Sequence, residues 1–267
     1  MTNRPAPLKR FGQHFLTSPV IADRIVAAAG IGPGDKVLEV GPGRGILTGR
    51  LAASAGRLVA VEIDRRLAAQ LSAEYRHHVN VEIIEGDVLA LDLGKALGPD
   101  GVAGATAVAN LPYNLAVPII EKLLGGLGHL RLMVVMVQRE VAQRMAACPG
   151  SRTYGSLSVF VQYQAEVRRL FDVRPGSFDP PPKVMSSVIS LVPHEPPAAV
   201  EDRTAFFAFV KKLFMTRRKM LRATLRSQFG ATAAQLEAMA RIDLSRRPET
   251  LGIGELAFLF SALNGGR

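Results

Sequence analysis

"LEVGPGRGILTGRL", residues Leu38–Leu51, is the stretch that decides the fold. An apolar run ends in glycines at alternate positions, Gly41, Gly43 and Gly45, and a helical pattern follows. Glycine turns the backbone sharply and lets a ligand approach main-chain amides, so the stretch reads as strand, ligand-binding turn and helix. The spacing GxGxG departs from the dinucleotide pattern GxGxxG, and Glu39 lies inside the strand just before the loop. A carboxylate there would repel a pyrophosphate and favour a ligand that carries an ammonium group.

Similar units continue outward from this point. Candidate strands are Lys36–Val40, Arg57–Ile63, Val79–Gly86, Thr106–Asn110 and Arg131–Gln138, each nearly continuously apolar, as parallel strands covered on both faces are. Helical periods fall between them, as in Ile46–Ala53 and Arg65–Arg76. The alternation predicts a doubly wound α/β sheet. Two later strands, near Leu157–Gln164 and Ser187–Val192, are expected to extend it as a hairpin.

"PHEPPAAVED" (Pro193–Asp202) is a proline-rich linker, and only helical patterns follow it. The expected division is a domain over residues 1–195 and a small all-helical domain over 196–267. Phe206, Val210, Leu213, Leu221 and Leu225 form one apolar face of what reads as a helix through Lys211–Arg226. That segment is rich in Lys and Arg and has no acidic residue. Its outward candidates for nucleic-acid contact are Lys212, Arg218, Lys219, Arg222 and Arg226.

The strand ends carry the chemistry. "VEID" places Glu62 where a carboxylate accepts ribose hydroxyls, and "EGDV" places Asp87 where it accepts from an adenine amino group. Ile63 and Val88 flank them. Taken in order, these elements suit S-adenosylmethionine, with NAD as the competitor. "NLPY" follows the fourth strand. An exocyclic adenine amine is a poor nucleophile because its lone pair is delocalised into the ring. Carbonyl acceptors on both amino hydrogens favour a pyramidal nitrogen, and Asn110 and Leu111 supply a side-chain oxygen and a backbone carbonyl. Pro112 fixes the turn, and Tyr113 is expected to stack on a flipped base. Read alone, the tetrapeptide is equally a proline turn capped by Asn. In "FDPPPKV" Phe178 is placed against the other base face, or else is a core residue under a sheet-edge connection.

Composition narrows the classes. The 267 residues are 48% hydrophobic, enough for a full core, and the net charge of +10 favours a polyanionic partner. One cysteine excludes a disulfide framework and fits a reducing cytoplasm, and the histidines lack metal-ligand spacing. Arg4, Lys9 and Arg10 have no apolar stretch behind them, so no signal peptide is expected, and no run is long enough to span a bilayer.

From "RFGQHFL" through "EVGPGRGILT", "EID", "GDVL", "NLPYN" and "FDPPPKVMSSV" to "FMTRRKMLR", the chain resembles the bacterial ribosomal RNA adenine N6,N6-dimethyltransferase family of the small-subunit type. The resemblance implies a Rossmann-like class I methyltransferase sheet using S-adenosylmethionine, with cofactor contacts at His14, Leu16, Gly41, Glu62, Asp87 and Asn110. Many members have Asn where this chain has His14. The implied substrate is a pair of adjacent adenosines in the 3′-terminal hairpin loop of small-subunit rRNA, each methylated twice by a cytoplasmic monomer. The rival within the family is the large-subunit enzyme that confers macrolide resistance. A rival of another class is a ribosome-assembly factor whose RNA binding outweighs catalysis.

Overall fold

The computed structural model describes residues 6–8, 12–98, 101, 103–125 and 130–264. Arg4, Lys9, Arg10 and His129 lie outside the described residues. The described chain forms two compact units, one running through Ala142 and resuming over Ala165–Pro193, the other made of Gln143–Gln164 and the chain from His194 onward.

In the first unit the chain forms β1 (Phe15–Leu16), α1 (Pro19–Ala29), β2 (Lys36–Val40), α2 (Thr48–Ser54), β3 (Arg57–Glu62) and α3 (Arg65–Glu74). It continues through β4 (Val81–Glu85), α4 (Leu93–Ala96), β5 (Thr106–Asn110), α5 (Ala116–Gly125) and β6 (Leu132–Gln138). The chain leaves this unit along α6 (Arg139–Met145), forms α7 (Ser156–Gln162) in the second unit, and returns as β7 (Ala165–Val173), β8 (Phe178–Asp179) and β9 (Ser186–Pro193).

The seven-stranded sheet has the order β4-β3-β2-β5-β6-β9-β7. The pairs from β4 to β6 are parallel, and β9 runs antiparallel to both β6 and β7. Strands β2, β3, β5 and β6 are buried along nearly their whole length, which accounts for their unbroken apolar sequences. The chain winds outward from β2 through β3 to β4 and returns to β5 on the other side of β2. The switch point therefore lies between the carboxyl ends of β2 and β5, where open α/β sheets bind ligands. These ends are the glycine loop and Asn110.

One expected strand is a helix. Leu157–Gln164 lies mostly in α7, and the hairpin strand begins only at Ala165. The run is apolar at every other position and also at helical spacing, so periodicity does not decide. Local capping does: the Ser158 hydroxyl accepts from the Gly155 N–H at 3.1 Å and starts the helix. Val159 and Tyr163, one turn apart, then enter the core of the second unit. Gln143–Gln164 accordingly joins the helical unit, whereas a linear division at 195/196 leaves it in the first.

The rest of the second unit is α8 (Arg203–Met215), α9 (Leu221–Phe229), α10 (Ala233–Ala238) and α11 (Ile253–Asn264). Phe206, Val210, Leu213, Leu221 and Leu225 are all buried in one cluster. They do not lie on one helix, however, because the chain breaks at Thr216–Met220. The next places on the apolar stripe after Leu213 hold Thr216 and Arg217, which cannot continue it. The chain instead turns, Thr216 and Thr224 join hydroxyls at 3.1 Å, and the Leu221 N–H donates to the Arg246 carbonyl at 2.8 Å.

Candidate active site

At the switch point, the loop after β2 holds Gly43 at φ +60, and a Cβ there would stand 3.0 Å from Cδ1 of Phe15. The position needs glycine for its backbone angle and for the room it leaves. Its N–H donates at 2.9 Å to Oε2 of Glu62 at the end of β3. Oε1 of Glu62 accepts from the Asp64 N–H, also at 2.9 Å. Burial raises the Glu62 carboxyl above its ordinary range, and these main-chain donors oppose that shift. Each carboxylate oxygen keeps a further lone pair for a ligand hydroxyl.

Asp64 caps α3 by accepting from the Arg66 N–H. The Arg66 guanidinium at 2.8 Å holds its carboxyl below the usual range, and Gln13 adds a donor at 3.3 Å. Gln13 also accepts from the Leu8 N–H at 2.7 Å. The segment before α1 is fastened on its other side too. Asn110 Nδ2 donates to the His14 carbonyl at 3.0 Å, and β1 pairs with β8. His14 Nδ1 lies 2.7 Å from the Pro180 carbonyl, which can only accept, so Nδ1 carries the proton.

These elements enclose a cleft of about 530 Å³, counting the space open to solvent. It is lined by Gly12–Phe15, Gly41, Gly43, Glu62, Ile63 and Asn110–Tyr113. The structure thus brings together His14, Gly41, Gly43, Glu62, Ile63 and the Asn110–Tyr113 loop. The Asn110 amide is oriented by its bond to His14, which sets its oxygen on the opposite arm. Tyr113 bonds the Ser186 hydroxyl at 2.6 Å and stacks on the His14 ring, centroids 5.4 Å apart. Burial raises its phenol above the ordinary value.

Other expected residues do not line the cleft. Leu16 and Phe178 are cross-strand partners and are buried in the core with Val173 and Val188. The pairing of Phe178 with β1 draws its ring inward, and it does not line this cleft. Asp87 is exposed and uses Oδ1 to accept from the Leu89 N–H at 2.8 Å, while Val88 is buried. Glu39 is 1% exposed and neither carboxyl oxygen has a hydrogen-bond partner. Burial pushes it up to about 8, and the nearby Glu62 adds to the shift. Thr48 eases this only in part, since its hydroxyl is not in hydrogen-bonding geometry with the carboxyl. Gln13 and Phe15 were not among the expected residues. Gln13 sits in the quoted motif beside His14, but its role rests on contacts distant in sequence.

The donor set suits an uncharged or cationic nucleoside ligand. The glycine-loop N–H groups donate to Val61 O, Glu62 Oε2 and Pro42 O, so the loop offers room and the Glu62 lone pairs serve hydroxyls, whereas a pyrophosphate would lie against Glu62 without free amides to receive it. Among the described residues no group of His, Cys, Asp and Glu is arranged to hold a metal ion, and no helix is long and apolar enough to cross a membrane. In the second unit Lys212, Arg218, Lys219, Arg222 and Arg226 are all exposed. None forms an ion pair with an acidic side chain among the described residues. Lys212 lies 4.9 Å from the Phe229 ring centre.

Comparison with known proteins agrees with this chemistry. The chain is 45% identical over 262 residues to the ribosomal RNA small subunit methyltransferase A of Gloeobacter violaceus, covering 96% of this chain and 93% of that protein. It is 44% identical over 255 residues to the protein of the same name from Synechococcus elongatus, covering 92% and 91%. A dimethyladenosine transferase from Plasmodium falciparum superposes with a TM-score of 0.79 at 26% identity, covering 94% of this chain and 98% of that one. The 23S rRNA methyltransferase ErmE superposes with a TM-score of 0.72 at 25% identity, covering 94% and 99%. The family model for ribosomal RNA adenine dimethylase matches residues 7–264, and the chain belongs to that family.

Proposed function

We propose that the protein transfers methyl groups from S-adenosylmethionine to N6 of two adjacent adenosines in the 3′-terminal hairpin loop of small-subunit rRNA, each twice. It acts as a monomer on the maturing subunit. The observation that carries this reading is the shared cleft. The Asn110–Tyr113 loop, which suits an amine acceptor, opens onto the space that Glu62 and the glycine loop present to a nucleoside. The small-subunit assignment is supported by identities of 44–45% over 92–96% of this chain to relatives named as small-subunit methyltransferases.

S-adenosylmethionine supplies an electrophilic methyl group when bound. The chain holds and orients the reactants, and positioning provides most of the catalysis. Glu62 would take the ribose hydroxyls, Asp87 with Val88 the adenine, and the backbone of the Gly41–Gly43 loop, which leaves room for close approach, with His14 and Leu16 the remaining contacts. Glu39, buried in the strand before the loop, would balance the cofactor's ammonium group. The Asn110 oxygen and the Leu111 carbonyl accept the two amino hydrogens of the target base, which frees the nitrogen lone pair. Pro112 stiffens this loop, and Tyr113, backed by His14, offers its ring to the base. The proton shed by the methylated amine passes to water. Lys212, Arg218, Lys219, Arg222 and Arg226 grip rRNA phosphates from the helical unit. Labelled methyl transfer to unmethylated small and large subunits, with the modified nucleosides mapped, tests the proposal. Label confined to N6 of paired adenosines in the small subunit supports it. Label in the large subunit refutes it, and binding without transfer identifies an assembly factor instead.

A further inference from the structure

We propose that Lys122 is a positioning residue for the adenine end of the cofactor site, acting by fixing the turn that carries Asp87. The proposal rests on the reading that Asp87 accepts from the adenine amino group. After β4 the chain makes a tight turn in which the Ala90 and Leu91 N–H groups both donate to the Asp87 carbonyl, at 2.9 and 3.0 Å. The Leu89 N–H is taken by Asp87 Oδ1 at 2.8 Å. The turn thus satisfies its own donors, and Asp87 keeps Oδ2 for a ligand. Its carbonyls are filled from outside: Lys122 Nζ donates to Leu89 O at 2.8 Å and to Leu91 O at 2.7 Å.

The packing of α5 does not require this lysine. The helix is buried through Ala116, Ile119, Ile120 and Leu123, and Lys122 lies beside that face, half-buried. No carboxylate among the described residues pairs with it. An ammonium with two of its N–H groups on backbone carbonyls holds them in one arrangement, because moving either strands a charged donor or an acceptor. The clamp also has a direction. Helix α5 is continuous with the acceptor loop, since the Leu115 N–H donates to the Pro112 carbonyl at 3.0 Å and Ile119 to Leu115 at 3.0 Å. Lys122 therefore fixes the adenine turn to the helix that begins at the Asn110–Tyr113 loop. The distance between the two ends of the site is set by one rigid element.

The test separates positioning from general stability by reading base preference. Binding of S-adenosylhomocysteine is compared with that of its hypoxanthine analogue, which presents an oxygen in place of the amino group. The wild type is expected to prefer adenine about tenfold or more, the worth of a hydrogen bond to a charged acceptor. Lys122→Met and Lys122→Gln should each lose about tenfold in affinity for the adenine ligand and little for the analogue, so that the preference collapses. Lys122→Arg, which keeps a long cationic donor, should retain most of it. Asp87→Ala should abolish the preference, and adding Lys122→Met to it should change nothing further. Equal losses for both ligands, or an intact preference with only a lowered melting temperature, overturn the role of Lys122. A wild-type preference in Asp87→Ala overturns the adenine assignment itself, and the proposal falls with it. The Asp87 arm tells these two failures apart.

Discussion

Replacing Glu39 with Gln tests how the buried carboxyl behind the glycine loop is held. In the folded protein burial lifts this group to about 8 from an ordinary 4.5. The native state therefore keeps a proton that the unfolded chain has lost. The resulting stabilisation is fully present below the unfolded value, falls as pH rises, and is gone once pH passes the folded value. At 1.36 kcal/mol per unit over roughly three effective units, wild-type stability should drop by about 4 kcal/mol from about pH 5 to about pH 9 on this account alone. A glutamine in this place has the same shape and no proton to lose. Urea unfolding of both proteins at matched pH gives the difference, in which the titrations of groups not coupled to Glu39 cancel; Glu62, which is coupled to it, contributes with Glu39. The Glu39→Gln variant should gain on the wild type steadily through the window and then level off. A gap that stays constant to within about 1 kcal/mol refutes the reasoning, because Glu39 would then be ionised and solvated in the native state. Cofactor binding gives a second readout. A carboxyl that ionises to face the ammonium group releases a proton near neutral pH, visible by calorimetry in buffers of different ionisation enthalpy, and the Glu39→Gln variant releases none.

Glu62→Ala should weaken S-adenosylmethionine binding and cost about 1–3 kcal/mol of stability for each main-chain donor it strands, at Gly43 and Asp64; unchanged affinity by calorimetric titration would remove Glu62 from the cofactor site. Gly43→Ala places a methyl group 3.0 Å from the Phe15 ring at φ +60, so a loss of about 1–2 kcal/mol and a looser cofactor complex are expected from melting and titration. Phe178→Ala should destabilise the fold by about 3–5 kcal/mol as a core truncation. Tyr113→Ala should leave the fold largely intact and lose methylation, as a base platform worth ~1–3 kcal/mol would; denaturation and methyl transfer on the two variants check the contrast. Charge reversal at Arg218, Arg222 and Arg226 should weaken subunit binding and lower its salt slope by about one per lost phosphate contact. An unaltered slope in a salt series would retire this surface as an RNA contact.

The ends of β2 and β5 were legible in the sequence because each apolar run stops at a residue with a distinct job, Gly41 and Asn110. The same holds for Glu62, whose strand is followed at once by the Asp64 cap of α3. What escaped depended on partners far along the chain. Phe178 looks like a loop aromatic among prolines, and only its pairing with Leu16 reveals it as core. Nothing near Gln13 or Lys122 announces that one reaches Asp64 and the other the carbonyls of Leu89 and Leu91. Leu157–Gln164 was ambiguous in itself, since a short apolar run fits strand and helix alike and a single serine cap decides. The break at Thr216–Met220 was visible in principle, as Arg217 occupies a place where a continuous buried stripe needs an apolar side chain.

The pairing of β1 with β8 also sets an order of events during synthesis. Gly41, Glu62 and Asn110 leave the ribosome well before the stretch from Ser177 to Pro180 does. Until that stretch emerges, Phe15 and Leu16 have no strand to join, the Thr17 N–H has no Ser177 carbonyl, and His14 has no Pro180 carbonyl. A nascent chain stopped short of this point would display the whole glycine loop yet hold the wall before α1 through Asp64 and Asn110 without β8. Cofactor binding should therefore stabilise the chain fully only after Pro180 has emerged, and the shorter chain, whose wall is held by Asp64 and Asn110 but not by β8, less so.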